Sequence, residues 1–149
     1  RSWSGAGVLG GVLYVCGGQE QSTPLRSVER IEPGKGAWEA APPMHESRSA
    51  PAAAACGSRL VVCGGWDDHR QNLKSVELFD PEAGHWEDAA PMSVCRFGAA
   101  AVAVGASTLY VLGGYEDDDA ECCLAAVEML DVSAGPPTPS PNDLQTTVE

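Results

Sequence analysis

Short apolar runs cut off by glycine or by polar turns recur along this chain in one fixed order, three times over. Residues 60–92 read LVVCGGWDDHRQNLKSVELFDPEAGHWEDAAPM, residues 13–44 read LYVCGGQEQSTPLRSVERIEPGKGAWEAAPPM, and residues 109–131 read LYVLGGYEDDDAECCLAAVEMLD. The diglycines Gly17-Gly18, Gly64-Gly65 and Gly113-Gly114 lie 47 and then 49 residues apart, and Trp38 and Trp86 are 48 apart. The chain is a tandem repeat whose units open at Arg1, Arg48 and Arg96.

Each unit predicts a set of strands. The first is a run of Gly, Ala and Val (residues 5–9, 52–56 and 98–104), small enough for a place where strands crowd; alanine alone would sooner suggest helix. Gly10-Gly11 and Gly57-Ser58 supply turn chemistry after it, with Ala106-Ser107 in the third copy. The second strand (12–16, 60–63, 109–112) is continuously apolar, as for a strand buried on both faces. Paired glycines end it, permitting positive φ, a bulge or close approach of another backbone. The third (27–32, 75–80, 126–131) carries Val-Glu and a further apolar residue in every copy. Pro33 and Pro81, with Gly36 and Gly84, mark a turn. Trp38 or Trp86 then begins a short outer strand that ends at Pro43-Met44 or Pro91-Met92. In the third copy Pro137 stands where that tryptophan belongs, so this unit is expected to lack its outer strand and leave a sheet edge open. Residues 135–149, GPPTPSPNDLQTTVE, read as a disordered or loosely extended tail.

Composition adds constraints. A formal charge of −12 argues against nucleic acid and anionic membrane as partners and favours a basic or neutral one. The longest apolar run, residues 97–106, contains two glycines and is far short of the roughly 20 residues of a membrane-spanning helix. Of the six cysteines, Cys16, Cys56 and Cys63 read as small buried hydrophobes, Cys95 lies beside an apolar run, and Cys122-Cys123 are vicinal. None has zinc-site spacing, no metal or other cofactor is expected, and free buried thiols suit a reducing compartment.

The diglycine, the VELFDP or VEMLD run and the following tryptophan resemble the kelch repeat, with the propeller region of the Kelch-like (BTB-BACK-Kelch) proteins as the nearest pattern. The resemblance implies an all-β fold: three consecutive blades of a partial propeller, residues 1–47, 48–95 and an incomplete 96–134. Because propellers close with roughly four to eight blades, the expectation is an open, C-terminal-type fragment of a longer chain. The other blades of the full-length propeller are then among its partners.

The same resemblance implies a protein-interaction module, the substrate-recognition part of a cullin-type ubiquitin ligase adaptor, with actin binding or general scaffolding as the alternative. In that family the residue after the diglycine and the arginine opening each unit face the rim that grips a peptide or degron-like segment. The matching positions are Arg1, Gln19, Arg48, Ser49, Trp66, Arg96 and Tyr115. Converging arginines would offer bidentate donors to a carboxylate, and Trp66 and Tyr115 rigid anchors. The competing reading has the arginines bonding nearby loop carbonyls. Five acids in residues 116–121 favour a basic or mixed partner over an acidic degron, or else form a solvated loop. Trp38 and Trp86 are expected to pack between blades with their indole N–H satisfied.

Catalysis has little support. His45, His69 and His85 assemble neither a Ser/His/Asp set nor a metal site, and the Tyr, His and Cys ligands of kelch-fold copper oxidases have no match. The reading is a non-enzymatic protein of the cytoplasm or nucleus, with a fragment of a kelch-fold enzyme as the third choice.

Overall fold

The computed structural model describes residues 1–116 and 123–133, and among these every regular element is a strand. The first sheet contains β1 (Gly5–Leu9), β2 (Val12–Cys16), β5 (Val28–Ile31) and β6 (Glu39–Ala41) in that spatial order. The second runs β7 (Ala52–Cys56), β8 (Arg59–Cys63), β9 (Val76–Asp80), β10 (His85–Ala89), and the third runs β11 (Ala100–Val104), β12 (Thr108–Leu112), β13 (Val127–Asp131). All pairings within them are antiparallel. A small hairpin, β3 (Gln19–Glu20) with β4 (Thr23–Pro24), occupies the loop after the first diglycine, where the sequence suggested only a loop.

These sheets are three consecutive propeller blades, set side by side through their first strands: β7 packs against both β1 and β11. The small-residue composition of those strands follows from this contact. A Cβ on Gly5 would lie 2.9 Å from the Cβ of Ala53, and one on Gly7 2.7 Å from Leu60 Cδ1. The alanine-rich runs form strands because crowding overrides helix propensity.

Alternation along the strands gives each blade two working faces. Blade 2 turns Ala53, Ala55, Leu60, Val62, Phe79 and Trp86 toward blade 1, where they join Leu9, Tyr14, Cys16, Val28 and Met44 in one buried cluster. Its opposite face, with Ala52, Cys56, Val61, Cys63, Val76 and Leu78, forms a second cluster with Leu109, Val111 and Leu130 of blade 3. Repeat-equivalent residues therefore meet at both junctions.

The outer-strand tryptophans part company. Trp86 is buried, sits 5.1 Å from the Phe79 ring and donates its indole N–H to the Pro42 carbonyl of blade 1 at 2.8 Å. Trp38 precedes β6 rather than lying in it and is 51% exposed, which corrects the expectation that both pack between blades. The physical reason is direct: Trp86 leans on the preceding blade, and no blade precedes the first among the described residues. Asp80 shows why Val-Glu-Leu-Phe-Asp-Pro ends a strand, since its carboxylate accepts the N–H groups of Glu82 (2.9 Å) and Ala83 (3.1 Å). Among the described residues the third blade has three strands. Most of the acidic loop, Cys122, Pro137 and the tail lie outside the described residues.

Candidate functional site

The candidate residues assemble in a repeating unit at one rim. In each blade the residue after the diglycine pairs with the residue after the opening arginine: Ser2 with Gln19, Ser49 with Trp66, Phe97 with Tyr115. Both backbone bonds form in each pair, at 2.8–3.1 Å. The diglycines make this possible. A Cβ on Gly18, Gly65 or Gly114 would lie 2.5, 2.6 or 2.7 Å from the carbonyl of Ser2, Ser49 or Phe97. On Gly17 or Gly64 it would collide with the carbonyl of Arg48 or Arg96, the arginine of the next blade. Those same carbonyls accept the N–H of Gly18 (2.8 Å) and Gly65 (2.9 Å). The rim is thus stitched from blade to blade through backbone that only glycine lets so close.

The arginines point into the blades. Arg48 is fully buried, and its guanidinium donates to the carbonyls of Gly64 (2.9 Å) and Ser75 (3.1 Å), to Ser75 Oγ (2.8 Å), to Glu46 (2.9 Å) and, through Nε and Nη2, to Glu77 Oε1 (3.1 and 2.9 Å). Arg1 repeats the pattern on Gly17, Ser27 and Glu29, and Arg96 on Gly113, Ala126 and Glu128. The competing reading, arginines held by loop carbonyls, describes their geometry; these side chains organise the rim rather than converge on its mouth. Their carboxylate partners were not singled out as site residues, although the signal was present: a glutamate recurring inside an apolar strand, at Glu29, Glu77 and Glu128. The buried Glu77 also accepts the N–H groups of His45 (2.6 Å) and Glu46 (3.3 Å) from the segment entering blade 2. The third copy is looser. Glu128 Oε1 takes the N–H of Ser93 (2.5 Å), and Arg96 Nε is buried without a partner among the described residues.

The residues that do reach solvent enclose a recess of about 250 Å³ between the loops of blades 1 and 2, lined by Gln19, Ser22, Trp66, Arg70 and Asn72. Ser49, though buried, holds its wall by donating Oγ–H to Gln19 Oε1 at 3.2 Å. Asp67 shapes the loop, accepting the N–H groups of His69 (2.9 Å) and Gln71 (2.8 Å), which leaves Arg70 at φ +59° and exposed. Asn72 ties this loop to blade 3 through the Glu116 carbonyl at 2.9 Å. Tyr115 lies apart from the recess, 37% exposed and stacked on Phe97 with ring centroids 5.4 Å apart. Arg70 and Asn72 were not among the sequence candidates, because nothing at their positions repeats in the other units.

Two other groups bear on chemistry. Burial pushes the thiols of Cys16 and Cys63 up to about 12, so they stay protonated and inert at neutral pH. His45, Glu77 and Asp88 lie close enough to share a cation. Glu77 is already committed to Arg48 and to two N–H groups, and His45 Nδ1 lies 2.8 Å from Asp88. The hydrogen bond to Asp88 raises the His45 pKa above its ordinary value, despite some desolvation, so the trio reads as an ion-pair link between blades 1 and 2.

A family model for the Kelch motif matches residues 1–45 and 47–93. The chain belongs to the kelch family. Its kelch repeats are similar to Kelch-like protein 35 from Homo sapiens, 41% identical over 58 residues, 39% of this chain and 10% of that protein. They are also similar to Kelch-like protein 26 from Mus musculus, 40% identical over 58 residues, again 39% and 10%. Kelch repeat and BTB domain-containing protein 13 from Homo sapiens is 44% identical over 54 residues, 36% of this chain and 12% of that protein. The matched kelch stretch spans about a tenth of the length of these relatives.

Proposed function

We propose that this kelch chain is a protein-binding module that serves as the substrate-recognition part of a cullin-type ubiquitin ligase adaptor, gripping a peptide partner at the diglycine rim. The observation that carries the reading is the recess between the first two loops. Trp66 supplies a rigid aromatic wall, Gln19 and Asn72 supply amides suited to an extended backbone, and Arg70 supplies a cation for a carboxylate or carbonyl. Arg1, Arg48, Arg96 and Ser49 belong to this site as the frame that fixes the loops, and Tyr115 extends it toward blade 3. The acids of the rim, Asp67 and Asp68 beside the recess and Glu116 next to Tyr115, favour a partner of mixed or basic charge. The adaptor role is supported by relatives named Kelch-like and, in one case, named for a kelch repeat and a BTB domain.

The test uses the full-length protein that carries this chain. Expected results are recovery of a cullin with it, and loss of one ubiquitylated partner on Trp66→Ala with Arg70→Ala, while cullin recovery and unfolding temperature hold. Each anchor in a desolvated contact should cost about 2 kcal/mol or more of partner binding. Co-sedimentation with actin filaments and no cullin would overturn the reading in favour of the cytoskeletal one.

A further inference from the structure

The two junctions between blades differ at the rim opposite the diglycines, where the first strand of each blade turns into the second. Between blades 1 and 2 this rim holds an open cleft of about 630 Å³, with Leu9, Val12 and Tyr14 of blade 1 on one side and Asp80, Pro81 and Glu82 of blade 2 on the other. Between blades 2 and 3 the equivalent space is about 190 Å³. In the strand registers Leu60 faces Phe79 and Leu109 faces Leu130, so Pro81 corresponds to Val132 and Ser58 to Ser107. Val132 lines the smaller space with Cys56, is buried in the cluster that blades 2 and 3 share, and donates its N–H to the Ser107 carbonyl at 2.8 Å. Pro81 stands exposed and has no N–H to offer Ser58. Where the smaller space has Arg59 in its wall, the larger has Val12.

The second junction thus shows what the first leaves out: an aliphatic side chain between the blades and an N–H on the turn carbonyl. The lip of the open cleft adds charge. Asp80 and Glu82 enter no ion pair among the described residues, and Arg59, whose charge reaches Asp80, is paired with Glu87 at 3.3 Å. The N–H groups of Ala83 and Glu82 hold the Asp80 carboxyl below its ordinary range, so it stays anionic. We propose that this cleft is a second protein-binding site. It takes an aliphatic side chain of a partner peptide in the place that Val132 fills one blade further on, with a neighbouring lysine or arginine against Asp80 and Glu82. A backbone N–H of the same peptide meets the Ser58 carbonyl. The formal charge of −12 draws such a basic segment in from a distance. The five-residue strands β2 and β8 separate this cleft from the Trp66 recess by about 17 Å, so one molecule has room for a partner on each rim.

The experiment selects from a displayed library of random short peptides on the full-length protein that carries this chain, with Trp66→Ala and Arg70→Ala in place to disable the other rim. Recovered peptides are expected to share a Val, Ile or Leu beside a Lys or Arg, and calorimetry with a synthetic peptide of that sequence gives the affinities. Pro81→Val copies the third blade and fills the cleft from within, so it should weaken the peptide by about tenfold or more. Glu82→Gln should weaken it by about two- to fivefold, an effect that fades with added salt. Both positions are exposed, and the unfolding temperature should hold in each variant. Recovery of no such peptide overturns the proposal, as does a peptide that binds Pro81→Val and its parent alike. Peptides without a cation, indifferent to Glu82→Gln, overturn the assigned partner. Should Pro81→Val fail to fold, Glu82→Lys decides: it should abolish binding of the basic peptide, and undiminished affinity overturns the proposal equally.

Discussion

A buried arginine needs partners for its charge and for its donors, and Arg48 finds most of them in its own blade. Glu77 compensates the charge, with Glu46 beside it, while two carbonyls and Ser75 Oγ take further N–H groups. Removing one member of such a pair strands the other away from water, so Arg48→Ala is expected to lower stability by about 3–5 kcal/mol. The double change Arg48→Met with Glu77→Gln should recover part of that loss, since it removes the uncompensated charge. Denaturant unfolding checks both. A loss under about 1 kcal/mol for Arg48→Ala would mean that the side chain is held loosely enough to serve a partner directly. His45 gives a second, weaker effect of known sign. Asp88 raises its folded pKa above the ordinary 6.5, so the stabilisation is fully present below that ordinary value and is lost as pH rises through the raised one. The His45 side chain is half exposed, which keeps the effect small by screening. Thermal unfolding followed from pH about 6 to about 9 should show a fall that Asp88→Asn flattens; an equal fall in the variant would assign it elsewhere.

At the scale of strands and loops, one sequence position can carry very different energies. Trp86 is wedged between Phe79 and blade 1 with its N–H bonded, whereas Trp38 stands half in solvent. Trp86→Ala should therefore cost about 3–5 kcal/mol. Trp38→Ala should stay within about 0.5 kcal/mol. Comparable losses at the two sites would show that Trp38 is covered as Trp86 is. This pair also shows what was legible beforehand. Local chemistry placed the turns and most of the strands, because glycine pairs, Asp-Pro and alternating apolar residues act over a few positions, whereas the backbone pairing beside the diglycines appears only in the structure. Exposure of Trp38 depends on what lies beside blade 1, and no residue near it carries that information. The same limit governs the site. Gln19, Trp66 and Tyr115 were legible as repeat equivalents, and in the structure each makes the same backbone pairing, with Ser2, Ser49 and Phe97. The direction of the arginines was not, since it depends on Glu77 lying opposite Arg48 after two strand reversals. Arg70 and Asn72 enter the recess through a loop whose shape is set by a single aspartate turn.

Across the whole molecule the blades differ mainly in how many neighbours they have. Blade 2 is covered on both faces, and Leu60, Val61, Val62, Cys63, Val76, Leu78 and Phe79 are all buried. Blades 1 and 3 share its strand pattern but leave Val8 in the one case and Val102, Val104, Val127 and Met129 in the other open to water. In a repeat array stability is close to a sum of unit terms and junction terms, so losing one junction shows as earlier local opening of the end units. The amides of β8 and β9 should therefore exchange with solvent most slowly. Those of β1, β2, β12 and β13 should exchange faster, with free energies of opening below the global value. Amide-resolved hydrogen exchange measures this directly. Uniform protection across the three sheets would show instead that the blades unfold as one cooperative unit, with the junctions strong enough to carry the ends.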